Sequence, residues 1–150
     1  MYTRILVAID NSSTAQKALN EAITLARAVG AKLCISHAAD EGPLTQHGMG
    51  LGSFIDVDKV KEEIRSTSHA LLDEALAKAV AVGCQAEVRL IESTQRRLGD
   101  MIIAAANEWQ ADLIVMGTHG RRGFERLLVG SVAEHMVRAS NTSLLLVREN

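Results

Sequence analysis

Apolar and polar positions follow two alternating patterns along this chain. Short strand-like runs are separated by longer stretches in which apolar residues recur at every third or fourth position. The strand-like runs lie at 4–9, 32–37, 85–91, 113–116 and 143–147. Runs that are apolar throughout are typical of strands covered on both faces. The pattern therefore predicts five strands.

The stretches of helical spacing predict four helices. They lie at about 15–26, from a cap at Asp56 to about Val82, at 98–109 and at 132–139. Ser13 with Gln16 fits a capping box at the start of the first helix. Gly30 and Gly83 are suited to end the first two helices.

Strands that alternate with helices indicate βαβ units and a parallel sheet with helices on both faces. We see no internal repeat, linker or low-complexity tract, so we expect one α/β domain of the doubly wound type over residues 1–150. Residues 38–54 form a long predicted loop with the only proline, Pro43.

Composition narrows the class of protein. Hydrophobic residues make up 47% of the chain but aromatics only 3%, so the core must be aliphatic. A formal charge of −2 and few aromatics argue against nucleic-acid binding. No apolar run approaches the roughly 20 residues of a membrane span, and no signal peptide is visible. Cys34 and Cys84 form no C-x-x-C motif, which favours reduced thiols and a cytoplasmic location.

The strongest chemical signal follows the fourth predicted strand. It reads Gly117-Thr118-His119-Gly120, then nine residues, then Gly130-Ser131 at the start of a helix. Glycine lets backbone approach a ligand closely, and a helix N-terminus suits phosphate. Together they predict a phosphate cradle, by which we mean Gly117, Gly120, Gly130 and Ser131.

This G-x2-G-x9-G-[ST] spacing resembles the nucleotide-binding motif of the universal stress protein family. Asp10 at the exit of the first strand and the apolar run at 143–147 match that family as well. The resemblance spans nearly the whole chain. It implies a Rossmann-like, adenine nucleotide alpha hydrolase-like fold with strand order 3-2-1-4-5. It also implies binding of ATP, or of AMP or ADP, in the crevice between strands 1 and 4.

The resemblance also implies roles for single residues. The cradle would hold the phosphates, and Asp10 would contact the ribose or the adenine edge. The adenine-side contacts would be Ala8, Ile9, Ala38, Met116 and Val132. Ala8 and Ala38 are smaller than the residues typical of the family, which would loosen the adenine pocket.

Structural explanations compete with the binding roles of the cradle. Ser131 with Glu134 is itself a capping box, so the serine could simply cap its helix. Gly117 and Gly120 could serve a tight turn. Asp10 could be a plain helix N-cap acceptor.

The polar residues inside the motif also allow two interpretations. Arg121 and Arg122 could hold a γ-phosphate by charge-assisted hydrogen bonds, or could form a solvated loop face. His119 is more typical of a structural hydrogen-bonding residue than of a catalyst. A triphosphate would usually recruit Mg²⁺, although the histidines and cysteines show no metal-ligand spacing.

No P-loop and no local catalytic set is present, so a binding module is favoured over an enzyme. We expect an adenine-nucleotide sensor in a stress response that is read by a protein partner. The alternatives are a slow ATPase or self-phosphorylating enzyme on the same site, and a nucleotide-free dimeric interaction module. The apolar run at 143–147 would lie at a sheet edge in the family's order, which predicts a homodimer through that strand.

Overall fold

The computed structural model describes residues 1–39, 56–92, 96–119 and 130–149. Strands and helices alternate through these ranges. The strands are β1 (Arg4–Ala8), β2 (Lys32–Ala38), β3 (Ala86–Ile91), β4 (Leu113–Gly117) and β5 (Ser143–Val147). The helices are α1 (Ser13–Val29), α2 (Val57–Ala81), α3 (Leu98–Trp109) and α4 (Ser131–Ala139).

The five strands form one parallel sheet in the order β3-β2-β1-β4-β5. β1 pairs with β2 from Arg4↔Lys32 to Ala8↔Ser36 and with β4 from Ile5↔Leu113 to Val7↔Val115. The expected α/β fold, its parallel sheet and its strand order are confirmed. β1 and β4 are neighbours at the point where the strand order reverses, which is where open α/β sheets bind ligands.

Side chains that alternate along the strands supply two aliphatic clusters, one on each face of the sheet. Ile5 and Val7 pack with α1 and α2, whereas Leu6 and Ile114 pack with α3 and α4. The central strands are buried on both faces, which explains their continuous apolar runs. Trp109 is the aromatic member of the second cluster.

The helix caps agree with the sequence at three positions and differ at one. The Asp56 side chain accepts hydrogen bonds from the amides of Asp58 and Lys59, and Gly30 and Gly83 adopt positive φ after α1 and α2. The predicted capping box at Ser13 is wrong. Ser12 has the extended N-cap conformation, and its Oγ accepts from Ala15 N at 3.1 Å, so Ser13 is already helical.

Element ends shift by one residue in most places. β1 ends at Ala8 because Ile9 continues the ladder only toward β2, through Ile9 N to Ser36 O at 2.9 Å. β4 extends to Gly117 and α4 begins at Ser131, so both flanks of the cradle belong to regular elements. Beyond Ala39, the predicted loop lies outside the described residues.

Cys34 and Cys84 are both buried and neither forms a disulfide. Burial raises the pKa of the Cys34 thiol to about 11, which keeps it protonated and unreactive. Across the described ranges, every helix is too short or too polar to cross a bilayer.

Candidate functional site

The candidate site lies where β1 and β4 end side by side. The pair Val7↔Val115 is the last one in their register. Beyond it the two strands separate, since Ala8 still pairs with β2 while Met116 and Gly117 pair with β5. The two motifs singled out in the sequence therefore converge on one crevice. Sequence spacing alone did not require this.

Asp10 supports the start of α1. One carboxylate oxygen, Oδ1, accepts a hydrogen bond from Ser12 N at 2.8 Å. The carboxylate thus holds the N-cap residue without being the N-cap. This bond orients the Asp10 side chain toward the first turn of α1, just past the end of β1.

Most of the predicted adenine-side residues share one face of the sheet. Ala8, Met116 and Val132 pack against the cluster under α3 and α4, and Ala38 alternates in step with Cys34 of that cluster. Ile9 lies on the opposite face, in the cluster under α1 and α2. The fold thus places four of the five side chains on one face of the sheet and the fifth on the other.

The backbone of Ile9 is also engaged. Its amide donates to Ser36 O, and its carbonyl accepts from His37 Nδ1 at 2.8 Å. Because a carbonyl only accepts, Nδ1 of His37 carries the hydrogen. His37 therefore ties the end of β2 to the exit of β1, directly before Asp10.

Packing against α1 requires a glycine at position 117. A Cβ built on it would lie 2.5 Å from Thr14 Cγ2 and 3.3 Å from His119 O. Thr14 is a buried residue in the first turn of α1, so only a glycine lets α1 lie this close to the end of β4. The tight-turn and phosphate explanations of Gly117 thus gain a third, which is helix packing.

Gly130 has a comparable constraint at the start of α4. Its amide donates to Thr118 O at 2.6 Å, and a Cβ would lie 2.9 Å from the same oxygen. A valine here would strike Thr118 before it met a ligand. Since Gly130 has φ −70° and ψ 163°, its backbone is open to any residue and the constraint is contact alone.

The capping interpretation of Ser131 is wrong. Gly130 is the N-cap of α4, Ser131 is its first helical residue, and no side chain caps this end within the described residues. The start of α4 is bonded to the end of β4 through Gly130 N and Thr118 O, and among the described residues no side chain caps its first N–H groups. This is the arrangement in which a helix N-terminus binds anions.

The segment between β4 and α4 is described only at its two ends. Thr118 is buried, its amide donates to Val147 O at 2.9 Å, and its hydroxyl lies 3.1 Å from His119 Nδ1. The remaining predicted site residues in this segment, Gly120, Arg121 and Arg122, lie outside the described residues.

Two residues at the crevice were missed by the sequence analysis, Thr14 and His37. A polar residue at the end of an apolar strand often belongs to a site, and the position of His37 could have indicated this. Nothing in the sequence pointed to Thr14, because it meets Gly117 across more than a hundred residues of the chain.

No group of three or more His, Cys, Asp or Glu side chains within 1–39, 56–92, 96–119 and 130–149 is placed to hold a metal.

Comparison with known proteins gives one consistent result. A profile of the universal stress protein family matches residues 1–148. Universal stress protein YxiE of Bacillus subtilis is 30% identical over 151 residues, which cover 99% of this chain and 100% of that protein.

Solved structures of universal stress proteins are also similar to this chain. A universal stress family protein from Burkholderia pseudomallei superposes with a TM-score of 0.78 at 31% identity, over 97% of this chain and 96% of the other. A universal stress protein crystallised in complex with cAMP is 28% identical, with a TM-score of 0.70 and 99% of both chains covered.

Proposed function

The chain belongs to the universal stress protein family, and we propose that it binds an adenine nucleotide, ATP foremost, as a sensor in a stress response. The phosphates would lie against the first N–H groups of α4 and the cradle glycines. The adenine would lie on the face shared by Ala8, Ala38, Met116 and Val132. His119, Gly120, Arg121 and Arg122 would complete the phosphate side, with Mg²⁺ accompanying a triphosphate.

The observation that carries this proposal is the N-terminus of α4. It is held to the end of β4 by the bond from Gly130 N to Thr118 O, and no side chain caps it within the described residues. A preorganised set of amide donors beside an apolar face matches the two halves of a nucleotide, a charged phosphate and a flat base. The relative crystallised with cAMP supports an adenine nucleotide as the ligand class.

We propose binding without turnover, in the cytoplasm. The chain has no P-loop motif, whose lysine would stabilise a transferred phosphate. Near the cradle, Asp10 accepts a hydrogen bond from Ser12 N and His119 lies beside the Thr118 hydroxyl. Nucleotide binding would instead change the segments after β2 and β4, and a protein partner would read that change.

The sharpest test uses the proline variant Ser131→Pro. Proline is well tolerated at the first helical position, and Gly130 already has the extended backbone that a following proline requires. The substitution removes one N–H donor and leaves the helix intact. We expect ATP affinity in calorimetry to fall about tenfold, the size of one charge-assisted hydrogen bond.

The matched control is Ser131→Ala, which removes the hydroxyl and keeps the amide. It should lose less affinity than Ser131→Pro. Equal ATP affinity in the proline variant and the wild type would refute phosphate binding at α4. Steady ATP hydrolysis by pure protein, abolished by changing Asp10 or His119, would favour the enzyme instead.

We further propose that the protein is a homodimer paired through β5. β5 is an edge strand without internal charge or proline, and Leu145 is exposed despite its position in the sheet. An antiparallel copy of β5 would satisfy its open backbone groups.

Leu145→Lys should give a monomer in light scattering, whereas Val80→Lys on the exposed surface of α2 should not. A wild type that is already monomeric at micromolar concentration would refute the dimer.

A further inference from the structure

α4 is a short helix that contributes little to the core. It has nine residues, and only Ala133 and Met136 are buried. A helix of this length is not stable by itself, so its position must be set by its neighbours. The direction of its first N–H groups therefore depends on what α4 rests against.

α4 packs against α3, and its contacts there include the first turn of that helix. Gly99, the second residue of α3, faces the imidazole of His135 on α4. A Cβ built on Gly99 would lie 2.6 Å from His135 Cδ2. The absence of a side chain at Gly99 thus forms the seat in which the ring lies.

The same ring makes a polar contact with the next residue of α3. His135 Nε2 lies 2.7 Å from Asp100 Oδ1. Because a carboxylate oxygen accepts, Nε2 is the donor, and a hydrogen bond to a charged group is stronger than a neutral one. The His135 side chain therefore holds α4 against α3 in two ways. Its ring packs over Gly99, and its Nε2 donates a hydrogen bond to Asp100.

The position of His135 along α4 connects this seat to the candidate site. His135 lies four residues after Ser131, one helical turn further along. The N-terminus of α4 is thus fixed at Gly130 by Thr118 O and one turn later by the ring of His135.

We propose that His135 is a positioning residue for the phosphate cradle. Its seat on Gly99 and its bond to Asp100 aim the first N–H groups of α4 at the phosphates. The expected effect on phosphate affinity rests on the proposed nucleotide binding, whereas the packing of His135 on Gly99 and Asp100 does not.

The test compares ATP with adenosine, which lacks phosphates. In His135→Ala, calorimetry should show ATP affinity lowered about threefold to tenfold and adenosine affinity unchanged. Asp100→Asn should lower ATP affinity less, since it keeps the shape and loses the charge. Arg138→Gln, which breaks the pair with Glu134 along the surface of α4 itself, is the matched control and should change neither affinity.

A measurement without ligand separates this inference from the proposed function. Amide hydrogen exchange of α4 should be faster in His135→Ala than in wild type, while that of α1 stays the same. Unchanged exchange in α4, or faster exchange with unchanged ATP affinity, would overturn the positioning role. Asp100→Asn decides the matter if His135→Ala does not fold. A wild type that binds no nucleotide would refute the proposed function. Hydrogen exchange would then still test whether His135 holds α4 in place.

Discussion

At the amino ends of the strands, α1, α2 and α3 end in the same kind of turn. In each, a residue with positive φ is followed by a backbone bond reaching back five residues: Ala31 N to Ala26 O, Cys84 N to Ala79 O and Ala111 N to Ala106 O. These are Schellman-type ends, which satisfy the last helix carbonyls. At the carboxyl ends, by contrast, α3 and α4 begin without a side-chain cap within the described residues.

The two ends therefore meet their backbone hydrogen-bonding needs in different ways. The amino end satisfies them within the chain, and side chains add further bonds there. At the carboxyl end, Ser12 and Asp56 cap α1 and α2, whereas the first N–H groups of α4 have no side-chain cap within the described residues. The comparison predicts that changes at the amino end alter stability alone, whereas changes to the first N–H groups of α4 alter nucleotide affinity first.

The largest effect should come from Trp109 at the amino end. Its ring lies under the Arg4 guanidinium, 4.0 Å from the centroid, and its indole N–H donates to Glu87. Trp109→Ala should lower the free energy of unfolding by about 3 to 5 kcal/mol. ATP affinity of the folded fraction should stay the same. Trp109→Phe keeps most of the packing and should lower the free energy of unfolding less. A folded Trp109 variant with reduced ATP affinity would contradict the comparison.

Asp112 should have the next largest effect. Its carboxylate accepts from Thr3 N, Thr3 Oγ1 and Arg4 N at 2.8 to 3.0 Å, which joins the start of β1 to that of β4. Asp112→Asn should cost about 2 kcal/mol in urea unfolding, with no change in ATP affinity.

The contribution of Asp112 should depend on pH. Its partial burial raises the pKa of the carboxyl, but the hydrogen bonds from Thr3 and Arg4 outweigh burial and lower that pKa overall. A lowered folded-state pKa means that the stabilisation is complete above the unfolded value of about 3.9 and is lost as pH falls through the folded value. The stability difference between wild type and Asp112→Asn should therefore be constant at neutral pH and shrink below about pH 4. A difference that grows in acid would contradict this.

Gly117 tests the comparison from the carboxyl end. Gly117→Ala should destabilise by about 1 to 2 kcal/mol, because its Cβ meets Thr14 Cγ2. Thr14→Ser removes that methyl group and should recover part of the loss in the double variant. If no recovery occurs in thermal unfolding, the packing explanation of Gly117 fails and the ligand explanation gains.

The smallest effects concern the helix ends at the amino end. Gly83 has φ +75° with no atom within 4 Å of an added Cβ, so Gly83→Ala should cost about 1 kcal/mol through backbone strain alone. Gln110 has φ 61° without being glycine. Gln110→Gly should therefore leave stability equal or raise it by up to about 1 kcal/mol. A loss on Gln110→Gly would mean that its side chain matters more than its backbone.

The sequence by itself determined most of the elements and their class. α3 and β5 have the bounds that the apolar pattern predicted, at 98–109 and 143–147, since periodicity and continuous burial are local properties. The glycine spacing, through its resemblance to a family, also supplied the strand order that periodicity could not provide.

Only the tertiary structure decided how the candidate site is assembled. The contact of Thr14 with Gly117, the seat of His135 on Gly99 and the turning away of Ile9 all depend on which elements lie side by side. Residues so far apart in sequence meet only after the sheet has formed and the helices have packed on it. A pattern read along the chain records which residues a helix or strand buries, but not which neighbour they are buried against.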